Sequence, residues 1–128
     1  MLTITPIYAG VLALLFVVLS LRVIAGRRKF HVGFGDGGYD LLLRRIRVHS
    51  NFAEHVPLVI LLMILAENQN SPDWRIHFIG IVLIVGRIIH AFGVGRDPEI
   101  TGSRTLGMAM TFTAMIFAAT TNLSLALL

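Results

Sequence analysis

The sequence predicts an all-α integral membrane protein, a single bundle of four transmembrane helices, on three observations. Its 128 residues are 55% apolar and only 14% charged, with a mean hydropathy of +0.80; soluble globular chains run at roughly 45–50% and about 25%. Two stretches, Met1–Leu21 and Thr105–Leu128, hold no charged residue, and each can cross a hydrocarbon core, which needs about 20 residues of helix. A soluble four-helix bundle would carry a polar stripe along every helix, and these stretches carry none.

The first span is expected from about Thr5 to Ala25. No Lys or Arg precedes Arg22, so the positive start of a cleaved signal peptide is absent and a retained helix is expected. A connection follows, Arg27-Arg28-Lys29-Phe30-His31-Val32-Gly33-Phe34-Gly35-Asp36-Gly37-Gly38. Its glycines form a turn and not a phosphate loop, because the Gly-Lys-Ser/Thr ending is missing. The second span is expected from about Leu43 to Glu67, with Pro57 inside it; the ring frees the carbonyl of Ala53 and bends the helix. Asn68-Gln69-Asn70-Ser71-Pro72-Asp73 is a turn-forming cluster. The third span runs from about Trp74 to Gly95 and the fourth from about Ser103 to Leu127. In the fourth, Gly107, Thr111, Ala114 and Ala118 form a small-residue face suited to close helix packing.

Basic residues set the orientation. Arg22, Arg27, Arg28, Lys29, Arg44, Arg45 and Arg47 flank the first connection, Arg96 and Arg104 the third, and only Arg75 lies near the second. By the positive-inside rule the first and third connections face the cytoplasm and both termini lie outside. That rule also accounts for the net charge of +4. A nucleic-acid partner is not expected, since no basic helix with interleaved aromatics is present. The chain has no cysteine, which removes disulfides and a thiolate nucleophile of its own, and no zinc-ligand spacing or serine-nucleophile motif occurs.

This topology brings Arg22, Arg47, Asn51, Glu54, Arg87, His90 and Arg104 to one depth, in the inner half of the membrane. Ionisable groups inside a membrane are costly and mark candidate sites. Arg47, Asn51 and Glu54 follow i, i+4, i+7 spacing and share a helix face, with His55 at its edge. Together they offer a cation, an amide and an anion, a set that suits a zwitterionic ligand; an internal ion-pair network tying helices together fits the spacing equally well. In the third span Arg87 and His90 share a face. Arg87 could pair with Glu54, and His90 could donate to a ligand or be a satisfied core histidine. Arg104 opens the fourth span, where a guanidinium beside a thiol would favour the thiolate or simply anchor the helix end.

These residues resemble a known family. Arg47-x-x-x-Asn51-x-x-Glu54-x-x-Pro57 is similar to the second-helix signature of the membrane-associated proteins in eicosanoid and glutathione metabolism (MAPEG). The likeness extends through Val23-Ile24-Ala25-Gly26-Arg27-Arg28-Lys29-Phe30, Val85-Gly86-Arg87-Ile88-Ile89-His90 and Arg104. The Gly35-Asp36-Gly37-Gly38 turn and Asn51-Phe52-Ala53-Glu54-His55-Val56-Pro57 resemble its small bacterial branch.

The resemblance implies a homotrimer in a bacterial inner membrane, with glutathione as co-substrate bound between subunits near the cytoplasmic side. Arg47, Asn51 and Glu54 would hold the peptide's charged and amide groups, with His55 and Arg87 beside them and His90 in contact. Arg27 or Arg28 would reach it from an adjacent subunit. Arg104 would be the catalytic residue that stabilises the thiolate. The implied activity is a glutathione transferase or peroxidase acting on hydrophobic electrophiles or lipid hydroperoxides that enter from the bilayer. Relatives often carry tyrosines where this chain has Val94 and Met108, which keeps open a non-catalytic lipid- or glutathione-binding protein. A small multidrug transporter is the third reading. Such transporters usually carry their membrane glutamate in the first helix with few arginines around it, whereas Glu54 lies in the second beside Arg47.

Overall fold

The computed structural model describes residues 1–128 and holds four helices and no strand: α1 (Thr5–Phe30), α2 (Asp40–Asn68), α3 (Asp73–Val94) and α4 (Thr101–Leu127). Each is long and apolar enough to cross a membrane. The four expected spans are present, within a few residues of their expected limits except at the end of α1.

There α1 continues through Arg27, Arg28, Lys29 and Phe30, which the sequence pattern had assigned to the connection. Three cations in a last turn complement the negative end of the helix dipole, so charge extends this helix rather than ending it. The stop is His31, in the left-handed conformation at φ 55°. The turn beyond has positive φ at Gly35, Gly37 and Gly38, conformations glycine adopts without strain. Arg27 Nη1 donates to the Gly35 carbonyl at 2.8 Å, Asp36 Oδ1 accepts from the Gly38 N–H at 2.8 Å, and Phe30 stacks on Tyr39 with centroids 4.3 Å apart.

The helices run alternately up and down. One end of the bundle carries the α1–α2 and α3–α4 connections; the other carries the termini and the α2–α3 turn. Leu12, Val56, Val59, Met63, Ile76, Ile79 and Leu83 fill the core, while Leu14, Leu58, Leu61, Ile81, Ile88 and Ile116 lie exposed around the outside. An apolar exterior of this kind suits lipid rather than water.

The closest packing is between α3 and α4, and glycine makes it possible. A Cβ at Gly107 would lie 2.6 Å from the Cβ of His90 and 2.7 Å from the Gly86 carbonyl oxygen. One at Gly93 would lie 2.8 Å from the Arg104 backbone nitrogen. The expected small-residue face is buried: Gly107, Thr111, Ala114 and Ala118 all pack inward. The start of α1 has no side-chain cap of its own. Glu67, at the end of α2, supplies one by accepting the backbone N–H groups of Thr3, Ile4 and Thr5 at 2.6–2.7 Å.

Candidate functional site

Where α2, α3 and α4 meet, at the end carrying the longer connections, a cavity of about 370 Å³ opens between them. The first turns of α2 supply Asp40, Leu43, Arg44, Arg47 and Asn51 to its wall. The last turns of α3 supply His90 and Val94, the third connection Glu99, and the first turns of α4 Arg104 and Met108.

Arg87 lies behind this wall, 1% exposed. Its Nη2 donates to Asn51 Oδ1 at 2.6 Å and to His90 Nδ1 at 3.1 Å, and its Nη1 donates to Thr111 Oγ1 at 3.3 Å. The Thr111 hydroxyl passes its own proton to the Gly107 carbonyl at 2.8 Å. This set corrects the expectation that Arg87 pairs with Glu54: its partner is the asparagine one turn earlier on α2.

Arginine can only donate, and this sets the polarity of the cavity. Asn51 must turn its oxygen to Arg87, which leaves its –NH2 for the cavity side. His90 must accept at Nδ1, so its proton is on Nε2, the cavity-side nitrogen. The buried guanidinium thereby turns two ambivalent side chains into donors. Behind Asn51, the His55 Nδ1–H donates to the Asn51 backbone carbonyl at 2.8 Å, and the His55 ring meets Phe112 edge-on.

The charges at the mouth differ in their partners. Arg44 pairs with Asp40 at 2.9 Å and Arg104 with Glu99 at 3.1 Å. These are the chain's two salt bridges, so Arg47, exposed on the cavity wall, has no carboxylate partner. The cavity thus offers one unpaired guanidinium (Arg47), two held by carboxylates (Arg44 and Arg104), an amide –NH2 and an imidazole N–H. No three His, Asp or Glu side chains converge anywhere in the chain.

Of the residues singled out from sequence, the cavity gathers Arg47, Asn51, His90 and Arg104, with Arg87 and His55 positioned behind them. Glu54, Arg27 and Arg28 lie outside it. Glu54 is exposed on α2, about 10 Å along the axis from Arg47 at ~1.5 Å per residue; spacing fixed its face but not its depth. Arg28 is exposed at the end of α1, and Arg27 is tied to the glycine turn. Sequence reasoning missed the roles of Asp40, Arg44 and Glu99. The signal for the first two was present, because Asp40, Arg44, Arg47 and Asn51 continue one i, i+4, i+7, i+11 stripe. His49 lies on the opposite side of α2, where it is 2.9 Å from Ser20 Oγ and stacks on Phe16 of α1.

Comparison with known proteins gives the same picture for the whole chain. It matches the MAPEG family over residues 5–124. It is also similar to the inner membrane protein YecN from two strains of Escherichia coli, 34% identical over 120 residues in each case, covering 94% of this chain and 90% of the relative. No solved structure matches it.

Proposed function

This chain belongs to the MAPEG family, and on that premise we propose that it is a glutathione-binding membrane protein that transfers the peptide to hydrophobic electrophiles. The observation that carries the reading is the set of free donors on the cavity wall, Arg47 without a carboxylate partner, the Asn51 –NH2 and the His90 Nε2–H, beside carboxylates (Asp40 and Glu99) already paired with Arg44 and Arg104. Glutathione has two carboxylates and a thiol that must ionise to react, and these free donors complement it. Arg47 would hold a carboxylate, where a guanidinium can bond both oxygens at once.

Arg104 would face the sulfur. A neighbouring cation stabilises the thiolate, which is the nucleophilic form. The thiol proton leaves to water. The sulfur then attacks an electrophilic carbon, a C–S bond forms, and the halide or other leaving group departs with its electron pair. To act this way Arg104 must release Glu99, an exposed pair of the kind worth about 0–1 kcal/mol, so bound ligand can replace it at little cost.

Assembly as a homotrimer is part of this proposal. Glu54, Arg27 and Arg28 lie outside the cavity of their own chain, and a neighbouring copy could receive them. The cavity would face the cytoplasm, with both termini outside, because the basic residues cluster at its end.

The test is turnover of purified protein with glutathione and a chloronitrobenzene. Conjugate should form, and Arg104→Ala should lower the rate at least tenfold. Equal rates in the two proteins would contradict the role given to Arg104.

A second reading is glutathione binding without turnover. It is favoured by Val94 and Met108, which place an aliphatic and a thioether side chain on the cavity wall, so no phenol is available there to assist the sulfur. Calorimetric binding with no product from any electrophile or hydroperoxide would select it.

A further inference from the structure

At the opposite end of the bundle a second cleft of about 260 Å³ lies between the start of α3 and the last turns of α4, lined by Trp74, Arg75, Phe117, Thr120, Thr121 and Ser124. We propose that this cleft binds the headgroup of an anionic phospholipid, phosphatidylglycerol in type, from the leaflet at that end.

The cation in the cleft has no partner. Arg75 is in neither salt bridge, and its Nε is buried without a hydrogen bond. Its guanidinium carbon sits 5.5 Å from the centre of the Trp74 ring, which holds it in place. The acidic groups at this end do not serve it. Glu67 is taken up by the backbone N–H groups of Thr3, Ile4 and Thr5, and Asp73 does not line the cleft. A half-buried guanidinium without a counter-ion calls for an anion, and the anion abundant at this depth of a bilayer is a lipid phosphodiester.

The other walls narrow the choice of headgroup. Thr120 Oγ1 donates to the Ile116 carbonyl at 3.0 Å and Ser124 Oγ to the Thr121 carbonyl at 2.9 Å. Their protons are spent, so both oxygens remain as acceptors for a headgroup that carries hydroxyls. A choline headgroup would instead bring a second cation toward Arg75 with no carboxylate to receive it. Trp74 and Phe117, centroids 6.1 Å apart, give apolar walls for the glycerol backbone and the first methylenes. Aromatics of this kind are favoured at the membrane interface.

Trp74 is the chain's sole tryptophan, so its fluorescence reports this cleft alone. Bromine quenches over a short range, and the arginines of the first cavity lie about 25 Å away along α4 at ~1.5 Å per residue. The experiment titrates the full-length protein in neutral detergent with bromo-acyl phosphatidylglycerol or bromo-acyl phosphatidylcholine. Phosphatidylglycerol should reach half-quenching at a mole fraction at least threefold lower. The preference should vanish in Arg75→Gln and weaken in Ser124→Ala, which disturbs folding less and serves if the arginine variant does not fold. Equal quenching by the two lipids, or an unchanged preference in Ser124→Ala and in any folded Arg75→Gln, would overturn the proposal. So would reversal of the quenching by millimolar inorganic phosphate, which would assign the cleft to a soluble anion.

Discussion

Arg87 donates to the side-chain oxygen of Asn51 at 2.6 Å, and through that bond a residue with almost no exposed surface fixes which way an amide on the cavity wall is turned. Because the same guanidinium also donates to His90 Nδ1, the asparagine and the histidine are both left with free donors on the cavity wall. On the proposed function this arrangement favours an anionic ligand, although the buried charge behind it never reaches the surface.

Arg87→Met therefore separates binding from stability. The guanidinium has no carboxylate partner, and burying an uncompensated charge costs several kcal/mol. Its loss frees Asn51 and His90, which line the cavity and can be rehydrated. The melting temperature is expected to hold or rise, while glutathione binding measured by calorimetry weakens at least tenfold. A purely structural arginine would give the reverse: a lower melting temperature and little change in the affinity of the folded fraction.

On the proposed function, Glu99 would compete with glutathione for Arg104. Glu99→Gln removes one negative charge from the wall and breaks an exposed pair worth about 0–1 kcal/mol. Stability should change by less than about 1 kcal/mol, and glutathione affinity should increase about two- to fivefold, less at high salt because exposed charges are screened. Titration at two ionic strengths checks both parts.

The α3–α4 contact has no room for a side chain at Gly107. Gly107→Val forces branched carbon against His90 and the Gly86 carbonyl, an overpacking that costs about 1–3 kcal/mol and shifts the imidazole. Gly102→Ala is the control, since nothing lies within 4 Å of where its Cβ would stand. Thermal melts should drop for the first and stay near the parent for the second.

Glu67→Ala leaves three N–H groups at the start of α1 without their acceptor. Hydrogen bonds to a charged group are worth about 1.5–3 kcal/mol, so a loss of roughly that size is expected in chemical or thermal denaturation. Glutathione affinity should stay within about twofold, because Glu67 lies at the other end of the bundle.

The four helices were legible because uninterrupted apolar length is a strong signal and the turn clusters between them are polar. Depth was readable too: alternating direction alone placed Arg47, Asn51, His90 and Arg104 at one end. What a single helix cannot reveal is the partner across the gap. The spacing of Arg47, Asn51 and Glu54 marks a shared face, yet only the register of α3 against α2 decides that Arg87 reaches Asn51 and not Glu54. The neighbouring α3–α4 contact depends on Gly86, Gly93 and Gly107, whose importance lies in atoms they lack. Glu67 read as the polar end of a span; its capping role needs the start of α1 folded back beside it.

Isothermal titration of the purified protein with glutathione, set beside Arg47→Ala, tests the central claim most directly. The parent should bind and the variant should bind at least tenfold more weakly with its fold intact, since removing an exposed arginine leaves the packing unchanged. No heat of binding in the parent, or equal affinity in the two proteins, would contradict the account.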